Sequence, residues 1–235
     1  SAAPWTLPAF SSMITGKSAL LHGGGGRSDD PNIIRTPLGT SVKTVTEILA
    51  EHGWQTRGWA NNRFLLPQFG FTQGFRAFVD YEQLGAVSDR SHQAVDTLIE
   101  VLGNPVSHDR FLFFHMMDPH APYTPNANFH KQFVTRAQDW TIRGIPIEKT
   151  AGAIMNGKVS FTHDEQLALL EYYEAAVANA DDELGRIVDK VLQLPPEKVM
   201  MIVTSDHGEE FFEHEKYEHG HSVFDELLHV PLVVA

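Results

Sequence analysis

The sequence predicts an α/β protein with a mostly parallel central sheet and helices on both of its faces. Three observations indicate this class. Apolar runs of strand length alternate along the chain with segments whose apolar residues recur at helical spacing. The run at 111–117 is apolar almost throughout, which is typical of a central strand covered on both faces. The run at 198–203 is rich in β-branched residues and lies between two prolines and a polar cluster, as buried strands do.

Length and composition set further bounds. A chain of 235 residues suits one domain, here 1–235, with a sizeable core. The formal net charge of -12 argues against a general nucleic-acid binder, so we expect no nucleic acid as a partner. The absence of cysteine excludes disulfides and thiolate metal sites. No apolar run approaches the roughly 18 residues of a membrane helix, so we expect no membrane span in this chain. Composition leaves the oligomeric state open.

The first segment predicts a short helix that begins near Thr6. Pro8 lies where a first helical turn accepts proline, and Gly16 lies where a helix ends. Thr6 would then lie at a helix N-terminus, where free N–H groups and the helix dipole favour an anion. Two interpretations follow: a simple N-cap, which the residues alone favour, or a hydroxyl placed to act on an anionic substrate.

The next segments predict a helix and a strand. In 40–52 the apolar residues, including Val45 and Ile48, fall on one helical face that we expect to be buried. Residues 54–60 are expected to form a strand, and Asn61-Asn62 follows at its end, where a side chain can contact a substrate. Asparagines are also common in turns, so this pattern alone leaves the pair either a substrate contact or plain turn residues, and we take Asn61 as the candidate contact.

A second helix is expected at 88–102 and a central strand at 111–117. The strand leads into a turn that contains His120, at the carboxyl end where α/β proteins bind ligands. A histidine in a proline-rich turn is unremarkable by itself. His115 lies inside the predicted strand, and we expect it to be a core histidine rather than a ligand.

The segment 124–160 shows no clear period, and we expect a surface excursion that shapes the substrate entrance. The longest helix is expected at 165–194, with an apolar stripe that includes Leu170 and Val177 facing the core. We expect the acids at 181–183 to lie on the solvated face of this helix rather than in a metal site.

The run at 198–203 leads to Asp206-His207, again at the place where α/β proteins bind ligands. An adjacent carboxylate and imidazole suit Mn, Fe or Zn, with Ca or Mg less favoured if the imidazole binds. The same pair also occurs as an ordinary polar link between a strand and a loop. Downstream, three histidines fall within eight positions. A zinc-protease helix does not explain them, because its histidines need a spacing of four and His214 and His219 are five apart.

Here the residues carry a family resemblance. The motif TSDHGE at 204–209, followed by HGHS at 219–222 and FDELLHVPL at 224–232, resembles the C-terminal metal motif of the sulfatase family, part of the alkaline-phosphatase superfamily. Three other segments match in the family's order. They are the nucleophile-like segment WTLPAFSSMITG at 5–16, FGFTQGF at 69–75 and DPHAPY at 118–123. The resemblance covers most of the chain and implies an alkaline-phosphatase/sulfatase-like α/β fold. It alone suggests a periplasmic or extracytoplasmic location.

The sequence departs from the sulfatase pattern at two positions. Family sulfatases carry a cysteine or serine that is converted to formylglycine, and an arginine two positions after the proline. Thr6 and Phe10 occupy these places here. A threonine cannot supply the aldehyde, so the sequence resembles instead the phosphatase, phosphodiesterase and phosphoethanolamine-transferase branches. In those branches a threonine alkoxide attacks phosphorus and forms a phospho-threonine.

The resemblance implies a metal-dependent nucleophile. A divalent metal, with Mn, Zn and Ca as candidates, would be held by Asp206, His207 and Thr6. The metal would lower the pKa of the Thr6 hydroxyl, which would be the nucleophile.

Three further side chains receive roles from the resemblance. His120 and His219 would be catalytic, stabilising the oxygens of the transferred group or protonating the leaving group. His221 would contact the substrate, as Asn61 would from its place at a strand end, and His221 is also an alternative to His219. The substrate would be a phosphate or sulfate ester of a small molecule, lipid or glycan, with phosphate favoured.

In the family, a strand ahead of the nucleophile supplies aspartates to the metal, and the chain continues beyond the C-terminal motif. We therefore expect 1–235 to be a single domain truncated at both ends, with weak metal binding and low activity for these residues alone. Two alternatives to a hydrolase stay open. One is a phosphoethanolamine-type transferase that acts through phospho-Thr6, and the other is a non-catalytic relative that binds sulfated or phosphorylated ligands.

Overall fold

The computed structural model describes residues 1–26, 35–80, 90–105, 107–155 and 159–235. The helices are α1 (Thr6–Thr15), α2 (Ala19–His22), α3 (Val45–Glu51), α4 (Arg90–Gly103), α5 (Ala127–Phe133), α6 (Ile147–Met155), α7 (His163–Val191) and α8 (Asp225–Leu228), with short 3-10 turns at Arg63–Leu65, Pro67–Phe69 and Pro196–Lys198. The strands are β1 (Gln55–Ala60), β2 (Ala77–Asp80), β3 (Arg110–Phe114), β4 (Thr141–Ile142), β5 (Ile145–Pro146), β6 (Ile202–Thr204), β7 (Glu210–Phe211), β8 (Tyr217–Glu218) and β9 (Leu232–Val234). Among the described helices, none is both long and apolar enough to cross a membrane.

The central sheet is parallel, with strand order β2-β1-β3. β1 lies in the middle, and its Trp59 pairs with Val79 of β2 on one side and Phe114 of β3 on the other. The carboxyl ends of the three strands therefore meet at one edge of the sheet. This arrangement confirms the predicted α/β class.

Helices cover both faces of this sheet. Trp59 and Ala60 are neighbours in β1, so their side chains leave opposite faces. Ala60 packs in a cluster with Phe10 of α1, whereas Trp59 packs with Val95 of α4 and Ile187 of α7. The prediction of helices on both faces is confirmed.

The strand predicted at 198–203 differs from the expectation. It shortens to β6, which pairs in antiparallel register with β9 and, among the described residues, with no other strand. Ile202 is 59% exposed and Leu232 is 69% exposed. The prediction of a buried strand is therefore wrong for this structure, because solvent reaches the apolar side chains of both strands.

The helix predicted at 40–52 is shorter and buries a different side. α3 begins after Thr44, whose hydroxyl accepts the Glu47 N–H in a capping box. Val45 and Ile48, predicted as inner residues, are 37% and 43% exposed, while Thr46 is fully buried. The spacing of the apolar residues did not predict the buried side of the helix, because the buried contact is polar. The Thr46 hydroxyl donates to the Gln73 carbonyl oxygen.

The segment 124–160 was predicted as a surface excursion, and this prediction is wrong. α5, the β4-β5 hairpin and α6 form a core with α7, in which Val134, Ile142 and Ile147 are at most 3% exposed. The apolar residues of this core are divided among short elements, so no single segment shows a long period.

α7 begins at a capping box between Thr162 and Glu165, close to the predicted start. Its buried face carries Leu169 and Tyr172, both 0% exposed, rather than the predicted stripe, whose Val177 is 40% exposed. The buried face is displaced because α7 packs on two sides, against α5 and against α4.

Candidate active site

A cavity of about 810 Å³ opens at the carboxyl edge of the parallel sheet. Five of its lining residues are Thr6, Asn61, Asn62, His120 and His219. A second cavity of about 100 Å³ adjoins it, shares Thr6, Asn62 and His120, and adds Asp206 and His207. The structure thus brings six of the seven predicted site residues to one place, from segments far apart in sequence.

Thr6 is the first residue of α1 and is 3% exposed. The N-cap position belongs to Trp5, and no side chain of the described residues caps this helix. The Thr6 hydroxyl instead lies 3.4 Å from Nδ2 of Asn62. The simple N-cap interpretation of Thr6 does not hold, and its hydroxyl is available at the junction of the two cavities.

Asn62 lines both cavities, whereas the sequence analysis chose its neighbour Asn61 as the substrate contact. Its Oδ1 accepts the Phe64 N–H at 2.9 Å, which fixes the amide so that Nδ2 faces Thr6. Asn61 also lines the large cavity, and its backbone N–H lies 3.4 Å from Nδ1 of His115. Strand alternation could have identified Asn62, because Ala60 faces α1 and a residue two positions later continues on the same side.

His115 lies just after β3, where it touches the small cavity and the Phe10 ring. Burial lowers the pKa of His115 to about 4, so the ring is neutral near pH 7. His115 is partly buried and forms part of the wall of the small cavity, so the structure does not place it in the core as predicted.

Asp206 and His207 face each other across a short distance. Oδ2 of Asp206 is buried and has no hydrogen-bond partner among the described residues, and it lies 3.4 Å from Nε2 of His207. Nδ1 of His207 lies 2.8 Å from the Gly208 carbonyl oxygen, to which its N–H donates. Nε2 then carries a lone pair that points at a carboxylate oxygen. A buried carboxylate oxygen without a hydrogen-bond donor lowers the stability of the fold. A cation between the two atoms would satisfy both, so the donor set fits a divalent metal.

The residue after this pair, Gly208, has no room for a side chain. A Cβ at this position would lie 1.9 Å from the carbonyl oxygen of Glu226, at the start of α8. The Gly208 N–H also donates to the Leu227 carbonyl oxygen at 2.8 Å. The backbone of the metal motif is therefore held directly against the downstream helix.

A third protein ligand is not evident. Within the parts of the chain that the structure describes, no group of three histidine, aspartate or glutamate side chains is placed to hold a metal ion. Thr6 lines the same small cavity as Asp206 and His207. The predicted set of these three residues as ligands stays a prediction.

Three imidazoles cluster between the cavities. The His219 ring centre lies 4.1 Å from that of His207 and 5.0 Å from that of His120. Burial lowers the pKa of His219 to about 4. Burial also lowers the pKa of His120, and the nearby His219 lowers it further. Both rings are therefore neutral near pH 7 and able to accept a proton.

Glu209 is a residue that the sequence analysis missed. Its Oε1 lies 2.8 Å from Nδ1 of His219, and its Oε2 accepts the Tyr123 hydroxyl at 3.2 Å. Burial raises the pKa of Glu209 to about 7. In the sequence, Glu209 belongs to an acidic stretch that looks solvated, and only the packing of Tyr123 against it reveals its burial.

His221 is the one predicted site residue that the structure keeps apart. It lines neither of the two cavities, and its Nε2 lies 3.2 Å from the Glu218 carbonyl oxygen. Its assignment as a substrate contact stays a prediction.

The outer wall of the large cavity is polar and comes from helices far from Thr6. His92, Asn126, Asn179 and Glu183 line it. Glu183 is 8% exposed and contacts the His92 ring at 2.6 Å, so the prediction of a solvated face at 181–183 is wrong for this residue. Its other oxygen pairs with Arg186 of α7, whereas His92 comes from α4, which the sequence of α7 alone does not indicate.

Comparisons with known proteins identify the family and the fold of the chain. The family model described as Sulfatase matches residues 1–235. An uncharacterized sulfatase of Escherichia coli strain K12, YidJ, is 26% identical over 153 residues, which cover 61% of this chain and 30% of that protein.

Solved structures share the fold. The phosphonate monoester hydrolase of Agrobacterium radiobacter superposes with a TM-score of 0.72 at 17% identity, covering 99% of this chain and 59% of that chain. The C-terminal periplasmic domain of EptC from Escherichia coli, in complex with Zn, has a TM-score of 0.67 at 15% identity and covers 99% and 58%. The 2-O GAG sulfatase BT1596 has a TM-score of 0.70 at 13% identity and covers 99% and 54%.

This chain spans less than a third of the curated relative and somewhat more than half of each of these solved chains. At such identities the solved structures show a common fold and nothing finer. The family model, in contrast, matches from the first residue to the last. The chain therefore belongs to the sulfatase family, within the alkaline-phosphatase-like fold.

Proposed function

We propose that the protein is a metal-dependent hydrolase of phosphate esters that uses Thr6 as its nucleophile. The observation that carries this proposal is the position of the Thr6 hydroxyl, buried beside Nδ2 of Asn62 in the small cavity that Asp206 and His207 also line. Phosphate is favoured over sulfate because a threonine cannot form formylglycine.

The residues divide the reaction among them. Thr6 Oγ1 attacks phosphorus, and Nδ2 of Asn62, held toward Thr6 by its own capping bond, donates to an oxygen of the transferred group. A neutral imidazole, His219 or His120, accepts the hydroxyl proton and then gives it to the leaving oxygen. Water afterwards releases phosphate from Thr6.

Asp206, His207 and Thr6 would hold the metal, and a bound divalent cation would lower the pKa of the hydroxyl and neutralise charge on the ester. The unpaired Oδ2 of Asp206 and the free Nε2 of His207 support this assignment. Mn, Zn and Ca remain the candidates.

The size of the large cavity supports a substrate with a substantial leaving group. At about 810 Å³ it is far larger than a phosphate group and falls in the range typical of small-molecule sites. A small-molecule, lipid or glycan ester would fit. An extracytoplasmic location is proposed from the family alone.

A second candidate is a transferase that passes a phosphoethanolamine-type group through phospho-Thr6 to a lipid or glycan acceptor. The same cavity favours it, because its polar outer wall leaves room for an acceptor hydroxyl beside Thr6. A non-catalytic binding relative is disfavoured, since Thr6, Asp206 and His207 are all present.

The test uses the full-length gene product reconstituted with Mn, Zn or Ca. Turnover is measured on an aryl phosphate, an aryl phosphodiester and an aryl sulfate, for wild type, Thr6→Ala and the control Thr15→Ala at the other end of α1. We expect phosphoester turnover to dominate, to fall at least about 10³-fold in Thr6→Ala and to persist in the control. Dominant sulfate turnover would overturn the phosphoester assignment. Phospho-Thr6 that is released only when an acceptor alcohol is added would establish the transferase instead.

A further inference from the structure

We propose that Glu209 is a positioning residue for His219: it holds Nδ1–H of the imidazole so that Nε2 faces the reacting ester. This inference rests on the proposed function, in which an imidazole carries the proton from Thr6 to the leaving oxygen. It adds a residue to which neither that mechanism nor the metal assignment gives a role.

The geometry assigns each oxygen of Glu209 one partner. Oε1 lies 2.8 Å from Nδ1 of His219, and Oε2 accepts the Tyr123 hydroxyl at 3.2 Å. The Glu209 side chain is 7% exposed and Tyr123 is 1% exposed, so both bonds are shielded from water. A carboxylate anchored at both oxygens cannot swing, and the imidazole that it holds is fixed in one orientation.

The orientation of His219 follows from the two distinct ring nitrogens. When Nδ1–H donates to Glu209, the proton is absent from Nε2, which lies on the opposite side of the ring. His219 lines the large cavity, between His120 and the metal pair. Nε2 is thus the nitrogen available to accept the Thr6 proton and to return it to the leaving oxygen.

The proton transfer requires one proton to stay on Nδ1 while Nε2 accepts the proton of Thr6 and returns it to the leaving oxygen. Oε1 of Glu209, 2.8 Å from Nδ1, is the acceptor that keeps this proton in place. A glutamine at position 209 can turn its NH2 group toward Nδ1, and the ring proton would then lie on Nε2 instead.

The turn between β6 and β7 therefore has two uses. Asp206-His207 face the small cavity, and Glu209, just beyond Gly208, reaches His219 ten residues later. Glu210, the next residue, is fully buried but serves the hairpin, since its Oε1 accepts the His214 backbone N–H at 3.1 Å. Two adjacent buried glutamates thus have different partners, which provides a matched control.

The test compares Glu209→Gln with Glu210→Gln in the full-length gene product. kcat/KM is measured on two phosphate esters, one with 4-nitrophenol and one with an alkyl alcohol as leaving group. The nitrophenolate leaves without a proton, whereas the alkoxide needs one. For Glu209→Gln we expect about a 10²-fold loss on the alkyl ester and a loss of only a few-fold on the nitrophenyl ester. For Glu210→Gln the two losses should be equal.

Two further measurements separate positioning from folding. Bound metal should be unchanged in Glu209→Gln, and in a His219→Asn background the same substitution should cost almost nothing further on the alkyl ester. If Glu209→Gln fails to fold, Tyr123→Phe serves, because it frees Oε2 but keeps the His219 bond. Its loss should be smaller but again confined to the alkyl ester.

Equal losses on both esters, or a loss that is additive with His219→Asn, would overturn the proposal. If wild-type turnover does not depend on Thr6, it is instead the proposed function that fails. The two failures are therefore distinguishable.

Discussion

Two carboxylates with buried oxygens, Glu171 and Asp206, differ in how the fold treats their charge. Glu171 on α7 is 8% exposed, and its oxygens accept from the Thr135 N–H at 2.8 Å, the Thr135 hydroxyl at 2.7 Å and the Arg136 N–H at 2.9 Å. The Arg136 guanidinium adds an ion pair. Asp206 lies two residues after β6 and is partly buried, and its buried Oδ2 has no donor among the described residues.

The difference separates structural from functional burial. Burial raises the pKa of Glu171, but the Arg136 and Thr135 donors outweigh it and bring the pKa below its usual value. The charge of Glu171 is therefore fully used within the fold. Asp206 retains an unsatisfied oxygen at a cavity, which is the arrangement expected where a ligand completes the site.

Among the substitutions that test this difference between Glu171 and Asp206, we expect Asp206→Asn to have the largest effect. We expect turnover of the reconstituted protein to fall about 10³-fold, because an amide is a poor ligand for a hard cation and several kcal/mol of charge stabilisation are lost. The metal-free protein should be no less stable than wild type, since an unpaired buried charge has been removed.

Steady-state kinetics, metal analysis and urea unfolding measure the three quantities. Asp182→Asn, on the exposed face of α7, is the control and should change none of them. Unaltered turnover in Asp206→Asn would contradict a metal role for this residue.

Glu171→Ala should give the opposite result. It leaves the Thr135 and Arg136 N–H groups without their acceptor, so the free energy of unfolding should fall by about 3 kcal/mol. Turnover per folded molecule should stay within about two-fold, because Glu171 is remote from both cavities. Urea unfolding measures the loss, and Glu174→Ala, exposed one turn further along α7, is the matched control. A loss of activity without a loss of stability would refute the structural role.

The position of Asp206 and His207 at a cavity could be predicted from the sequence, because both residues closely follow a strand. Their role as metal ligands stays a prediction. Thr6 could be placed because Pro8 and Gly16 bound α1, and the helix does end at Gly16 with φ 65°.

The acids that support the site could not be predicted. Glu183 and Glu209 are charged residues in polar stretches, and their burial comes from α4 and from Tyr123, which lie far away in sequence. The prediction of a surface excursion at 124–160 failed for a related reason. The short elements of this segment bury their apolar residues against one another and against α7 and β8, so the signal is tertiary rather than periodic.

A smaller effect is expected at the start of α7, which carries Glu171. The Thr162 hydroxyl accepts the Glu165 N–H, and the Glu165 carboxylate accepts the Thr162 N–H at 2.8 Å. Thr162→Ala should lower the free energy of unfolding by about 1 kcal/mol without changing turnover. Glu165→Gln keeps the capping acceptor and removes only the exposed pair with Arg143, so its effect on the melting temperature should be smaller still. The reverse order would show that the ion pair, rather than the cap, stabilises this end.

We expect the smallest effect at Glu218. This residue is partly buried at the wall of the large cavity, so its burial is intermediate between that of a structural and that of an exposed carboxylate. Burial raises its pKa to about 7, and the neighbouring Glu209 adds to the shift. A carboxyl with a raised folded-state pKa binds its proton more tightly in the folded state. Its contribution to stability is therefore present below the unfolded value of about 4.3 and is lost as the pH rises through about 7.

The glutamine in Glu218→Gln cannot ionise. At pH 5 the free energy of unfolding of this variant should be close to that of wild type, and at pH 8 it should be higher than that of wild type. The gain at pH 8 should stay under about 1 kcal/mol, because water reaches part of the group. Urea unfolding at the two pH values measures it. Glu215→Gln is the matched control, since Glu215 and Glu218 both have a left-handed backbone, with φ 61° and 67°, but Glu215 is exposed. A pH-independent difference for Glu218→Gln would mean that strain in the hairpin, and not the buried charge, sets its stability.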